Sequence, residues 1–225
     1  MQKNSYMRFC CLSIFIVLLF SCSEDKEYIP ASLPVPHEPE QAVICIQPIG
    51  KVDQVMLDSV KKTLSKAYPF KIEIGKQIEV PKSYKSPRGP QRYRADSIIR
   101  YLKRLEIKAH RVIGITGYEI CTTKHGPDGE IKKPEWRYKD WGIFGLGYCP
   151  GRSCVVSYCY LKQRSKALMM SRLRKITIHE VGHTLGLPHC PDKNCVMTDA
   201  CEKITTIDNT RGVLCEKCRK QIGYR

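Results

Sequence analysis

Three histidines and a glutamate recur at fixed intervals in one short stretch, His179-Glu180-x-x-His183-x-x-Gly186-x-x-His189. On a helix, His179 and His183 stand at i and i+4, so both imidazoles project from one face and can grip a single cation. Glu180, one residue on, is close enough to reach a water at that cation without being a ligand itself. Gly186 lets the backbone leave helical geometry without a Cβ penalty. Pro188 cannot continue a helix interior, so the chain turns and His189 can return as a third ligand. Three neutral imidazoles leave one position of a tetrahedral zinc open, which is the catalytic rather than the structural pattern. A bare His-Glu-x-x-His turns up by accident, but Gly186 and His189 at the correct offsets carry the metal reading.

A second donor set follows at once. Cys190, Cys195, Cys215 and Cys218 fall as C-x4-C-x-Met197, then residues 198–214, then C-x-x-C. The whole string resembles the archaemetzincin family of zinc metallopeptidases, whose signature joins the metzincin helix to a zinc site of four cysteines. Every fixed position of that pattern is filled here, and the resemblance in motif is confined to residues 179–218. It implies two zinc ions per chain: a catalytic one on His179, His183 and His189, and a structural one on Cys190, Cys195, Cys215 and Cys218. A four-thiolate site is closed, and its binding energy becomes folding energy for a C-terminal segment with few apolar residues. Met197 resembles the methionine that packs as an apolar floor beneath the catalytic zinc in metzincins. The activity implied is peptide-bond hydrolysis by a zinc-activated water, with Glu180 as general base. The reading from a different class is a catalytically weak or inactive zinc protein that acts as a protein-binding module.

These residues need elements to hold them. The chain has 225 residues, enough for one domain with a sizeable core. Residues 1–21 read as a lipoprotein signal peptide, with Lys3 and Arg8 ahead of an apolar run from Phe9 to Phe20 that is too short to span a bilayer comfortably. Leu19-Phe20-Ser21-Cys22 resembles a bacterial lipobox, which makes Cys22 the lipidated residue. Residues 22–41 then form a proline-rich tether, and residues 42–225 the metallopeptidase domain. This places a monomer at the cell envelope, lipid-anchored to the membrane on an outer-membrane, periplasmic or surface face.

Within the domain, Ala42–Ile46 reads as a strand, and Val55, Met56, Val60 and Leu64 recur at helical spacing. Phe70–Ile74 alternates as a strand, residues 81–94 read as a mobile loop, and Ala95–Leu105 carries a second helical pattern. Val112–Thr116 is the next strand, residues 122–140 a surface loop, and Ile143–Tyr148 an edge strand beside Cys154–Tyr158. The site helix then runs from about Ser165 to Leu185. The expected fold is α+β: a metzincin-like mixed sheet with an active-site helix and a small C-terminal subdomain stapled by the cysteine zinc site. An extended peptide or protein substrate would pair with the edge strand, at Gly145, Leu146 and Gly147, whose glycines allow close approach.

Composition narrows the partners. The net charge of +16 could point to nucleic acid or an anionic surface. The basic residues are scattered, without a run of five, and interleave with Asp and Glu; a solvated basic surface follows, and no nucleic-acid partner is expected. Of the thirteen cysteines, Cys45, Cys121, Cys149, Cys154, Cys159 and Cys201 belong to neither the leader nor the zinc pattern, and their pairing is open.

Overall fold

The structure, a computed structural model, describes residues 42–87, 89, 92–161, 165–199 and 203–223. The segments read as signal peptide and tether, with Cys22, and also Cys201, therefore lie outside the described residues. The elements follow in the order β1 (Val43–Ile49), α1 (Gln54–Ala67), β2 (Lys71–Ile74), β3 (Arg92–Arg94), α2 (Ala95–Arg104), β4 (Arg111–Thr116) and β5 (Glu119–Thr122). Then come α3 (Glu135–Tyr138), β6 (Trp141–Ile143), β7 (Gly145–Gly147), β8 (Ser153–Ser157), α4 (Lys166–Thr184), α5 (Ile204–Asn209) and α6 (Glu216–Gln221), with short 3₁₀ turns at Lys82–Tyr84 and Cys159–Leu161.

The main sheet has the order β2-β1-β4-β8-β7. Its pairings are parallel except the last, where β7 runs antiparallel to β8. Successive side chains of a strand point to opposite faces, and the core divides accordingly. Ile44, Ile46, Ile113, Ile115 and Val156 pack on the side of α1 and α4. Cys45, Val112 and Val155 pack on the other side against Ile98, Ile99 and Leu102 of α2. The parallel strands are buried on both faces, which explains why they read as continuous apolar runs.

Helix α1 begins where Asp53 accepts the backbone N–H of Val55 at 2.9 Å, and α4 where Ser165 accepts that of Leu168 at 3.3 Å. The Tyr68 hydroxyl, fully buried after the end of α1, donates to the carbonyl of Ile178 at 2.7 Å and ties α1 to the site helix.

Two expectations need correction. Residues 81–94 are not simply a loop: they hold a 3₁₀ turn and β3, which joins β5 and β6 in a second sheet of order β3-β5-β6. The run Ile143–Tyr148 is not one strand: Ile143 ends β6 in the second sheet, and the main-sheet edge is only Gly145–Gly147. The second sheet buries Tyr93, Ile120 and Cys121 and adds ion pairs at its rim. Arg92 pairs with Glu119, and Arg94 with Asp140 at 3.2 Å. Cys45, Cys121, Cys149, Cys154 and Cys159 are free thiols.

Candidate metal centre and cleft

Helix α4 ends in a Schellman motif. Gly186, at φ +90°, takes the left-handed position. Gly186 N–H donates to the His183 carbonyl at 2.9 Å, and Leu187 N–H to that of Gly182 at 3.0 Å. This turn swings Pro188 and His189 back beneath the helix, so one donor atom from each of His179, His183 and His189 lies within 4.8 Å of the others.

The donor chemistry fits a cation. A backbone carbonyl can only accept, so the 2.8 Å contacts of His179 Nδ1 with the Val196 carbonyl, and of His183 Nδ1 with that of Leu187, place a proton on each Nδ1. The two Nε2 lone pairs then face each other at 3.0 Å. Two acceptors this close repel unless they share a positive ion, and roughly 3.3 Å separates two nitrogens on one tetrahedral zinc. Burial, aided by the neighbouring His183, pushes the His179 pKa down to about 4, and burial lowers that of His183. Both rings are therefore neutral at physiological pH and free to donate to a cation. Burial alone pushes the Glu180 carboxyl up to about 8, and a cation beside it would draw it down again.

Below the histidines, the buried Met197 packs against α4 at Gly182, where a Cβ would come within 2.5 Å of the methionine sulfur. A glycine at this point of the helix is what admits the floor, and the sequence reading did not single it out. Past the turn, the Cys190 N–H donates to the Met197 carbonyl at 2.8 Å, and Val196 N–H to that of Val213 at 3.0 Å. These bonds gather Cys190, Cys195, Cys215 and Cys218, whose sulfurs all lie within 4.8 Å of one another. Cys190 and Cys215, and Cys195 and Cys218, stand 3.8 Å apart, far beyond a disulfide and close to the edge of a zinc–thiolate tetrahedron. The Cys195 sulfur also accepts from the backbone N–H of Cys215 at 3.3 Å, a contact that favours thiolate.

The three histidines and Glu180 open on a cleft of about 560 Å³. Gly145, Leu146 and Gly147 of the edge strand line it. Their glycines have a further reason: a Cβ on Gly145 would meet Glu180 Cγ at 2.6 Å, and one on Gly147 the Glu180 carbonyl oxygen at 2.8 Å. The strand lies so close to α4 that only glycine leaves room for the carboxylate. Trp141, Phe144, Ile176, Ile207 and Thr210 also line the cleft. Ile207 and Thr210 belong to or adjoin α5, which the sequence reading missed because six residues show less than two turns of periodicity. Arg172 anchors α5 through a fork to Asp208, at 2.8 and 2.6 Å.

The profile of peptidase family M54 matches residues 70–223. The archaemetzincin of Methanopyrus kandleri is 31% identical over 144 residues, spanning 64% of this chain and 72% of that protein. That of Methanocaldococcus jannaschii is 28% identical over 189 residues, 81% and 93% of the two chains. The crystal structure of the M. kandleri protein superposes with a TM-score of 0.67 at 25% identity, covering 84% of this chain and 97% of that one. The crystal structure of Archaeoglobus fulgidus archaemetzincin, complexed with malonate, gives 0.63 at 23% identity over 80% and 99%.

The chain belongs to peptidase family M54, the archaemetzincins. It is therefore a zinc metallopeptidase. The α+β archaemetzincin fold, with mixed sheet, site helix and four-cysteine cluster near the C-terminus, is as the sequence implied. In this archaemetzincin frame the long parallel core serves one purpose at the site: it sets β8 and β7 against α4 so that the edge strand, Glu180 and the histidines share one cleft.

Proposed function

We propose that His179, His183 and His189 hold the catalytic zinc, that Cys190, Cys195, Cys215 and Cys218 hold a second, structural zinc, and that Glu180 is the general base of peptide-bond hydrolysis. One observation carries this reading: a buried carboxylate and three converging imidazoles share a single cleft with an open strand edge. When bound, zinc supplies Lewis acidity, making water a nucleophile near neutral pH and polarising a carbonyl. The chain's own residues do the rest.

An extended peptide pairs with β7. The Phe144 carbonyl accepts from Ser157 N–H at 2.8 Å. Hydrogen-bonded and non-bonded pairs alternate along an antiparallel ladder, so Gly145 and Gly147 turn their N–H and C=O groups away from β8 and toward the substrate. This pairing holds the scissile carbonyl in register beside Glu180. A carboxylate oxygen of Glu180 takes the proton of the attacking water and delivers it to the leaving amine nitrogen. Its burial in an apolar wall keeps its basicity high enough for that transfer.

A protein-binding module without activity would have no use for Glu180, which is buried and makes no hydrogen bond to protein among the described residues. The test is Glu180→Gln. We expect two zinc ions per chain in both proteins, and turnover of library peptides lowered by roughly a hundredfold or more in the variant. Undiminished cleavage would remove Glu180 from the mechanism, and one metal per chain would remove the second site.

A further inference from the structure

The basic residues are scattered along the sequence, but the fold gathers a set of them. Between α1, α4 and the segment 211–219 lies a groove of about 640 Å³. Helix α1 contributes Ser59, Lys62, Thr63 and Lys66, spaced i, i+3, i+4, i+7 so that one face lines the groove. Helix α4 contributes Ser171, Arg174, Lys175 and Ile178 at the same spacing. Arg211 and Arg219 close the third side. Six basic residues thus line one concavity, and no aspartate or glutamate does. Lys175 donates to the carbonyls of Ile207 and Asp208 at 3.0 and 2.7 Å. The other five make no ion pair with a carboxylate among the described residues.

A merely solvated face does not look like this. Some exposed charges elsewhere are paired, as in Lys71–Glu73, Lys133–Glu135 and Lys220–Glu216, whereas here the cations cluster without a carboxylate. In the groove Lys62 and Lys66 stand one helical turn apart with like charge, an arrangement that costs stability in itself. The three hydroxyls add donors that suit carboxylate oxygens.

The groove also adjoins the catalytic cleft. Lys175 lines both, and Thr210 in the cleft is followed directly by Arg211 in the groove. We propose that the groove is an exosite for an acidic segment of the substrate, lying beyond the residues that occupy the cleft. The proposal rests on the peptidase reading of that cleft. Alternate residues of an extended chain repeat at about 6.6 Å and a helical turn at about 5.4 Å, so acidic side chains two apart can meet Lys62 and Lys66. Along α4, Arg174 and Ser171 stand about 8 to 12 Å from His179, a distance that an extended chain covers in about three or four residues.

The test uses two fluorogenic peptides with one cleaved core, taken from a library screen. One carries a run of four glutamates and the other four glutamines, each spaced about three to six residues from the scissile bond. On the zinc-loaded protein the glutamate peptide should have a kcat/KM higher by roughly tenfold at low salt, through KM, and the advantage should shrink as ionic strength rises. In Lys62→Ser/Lys66→Ser/Arg174→Ser the ratio of the two peptides should fall to about one, and in Arg174→Glu below the wild-type ratio. Melting temperatures check the fold; should the triple variant be unstable, the exposed Arg174→Ser alone carries the comparison. Fluorescence anisotropy of the glutamate peptide on the Glu180→Gln protein reads the exosite without turnover. Cleavage of both peptides at equal efficiency at every spacing overturns the exosite and leaves the peptidase standing. Should the screen yield no cleaved core, the peptidase reading falls; glutamate-selective anisotropy that is lost in the triple variant would then still support an acidic-peptide site in the groove, and anisotropy without that selectivity would overturn it. Binding of anionic vesicles or oligonucleotides by the groove, with no preference for glutamate over glutamine, overturns the proposal in favour of those partners.

Discussion

An alanine at Gly145 would set its Cβ 2.6 Å from both Cγ and Oε1 of Glu180 and 2.8 Å from Cδ. Ordinary contact begins near 3.4 Å, so strand and side chain must part by about 0.8 Å, more than the half ångström or so that a catalytic constellation tolerates. The backbone offers no excuse for a failure, because Gly145 is not among the glycines with positive φ. Glu180 has little room to retreat, being 7% exposed on a helix buried on most sides. Overpacking of this kind costs about 1–3 kcal/mol of stability. A displaced base should lower kcat/KM by roughly a hundredfold, with zinc content unchanged. Gly142→Ala is the control: its Cβ would come no closer than 3.1 Å, to the hydroxyl of Tyr160, the far end of a side chain exposed enough to move. The assay is kcat/KM on a library-derived peptide, with metal analysis and thermal melting on the same preparations. Turnover of Gly145→Ala within about threefold of wild type, with an unchanged melting temperature, would refute the claim that β7 positions Glu180.

Cys218→Ser should weaken zinc binding at the histidines or turnover, as well as C-terminal stability, because Cys190 and His189 are adjacent and their Cα atoms are only about 3.8 Å apart; wild-type zinc affinity and activity in the folded variant would show the two sites to be independent. Asp208→Asn should destabilise the protein at neutral pH by about 1–3 kcal/mol, since it strands the buried Arg172. The Arg172 hydrogen bond holds the Asp208 pKa below its usual value, so this stability is present above the unfolded pKa and is lost as pH falls through the lower folded one; urea titrations should show the gap between variant and wild type closing below about pH 4, and a gap that persists there would assign the effect elsewhere. Cys22→Ala should shift the protein out of the membrane fraction, and identical fractionation of the variant would end the lipoprotein reading.

Much of the frame was legible because it obeys one period at a time. β1, β4 and β8 are apolar runs of strand length, and α1 and α2 show apolar residues at helical spacing with sharp ends. The second sheet escaped notice for a physical reason. Its strands are three or four residues long, too short to show a period, and in β3 the buried Tyr93 stands between Arg92 and Arg94, which pair with Glu119 and Asp140. Gly145 and Gly147 were read as room for substrate, but the contact with Glu180 joins residues far apart in sequence. The basic groove was invisible on similar grounds, because Lys62 and Arg211 become neighbours only when α1 packs on α4.

That packing also explains why α4 shows no simple amphipathic stripe. A surface helix needs one apolar face and one polar face. Helix α4 instead meets four environments: the sheet core through Leu173, Ile176 and Val181, the cleft through His179, Glu180 and His183, the groove through Ser171 and Arg174, and α5 through Arg172. Each claim on the helix removes residues from the pattern that would announce it. Its amphipathicity is therefore lost as its chemistry accumulates, and the spacing of the metal donors, not hydrophobic period, is what marks it in the sequence. Displacing α4 would disturb the cleft and the groove together, whereas a change confined to Lys62 or Lys66 on α1 leaves the histidines in place. The groove can therefore be altered without rebuilding the site that cuts.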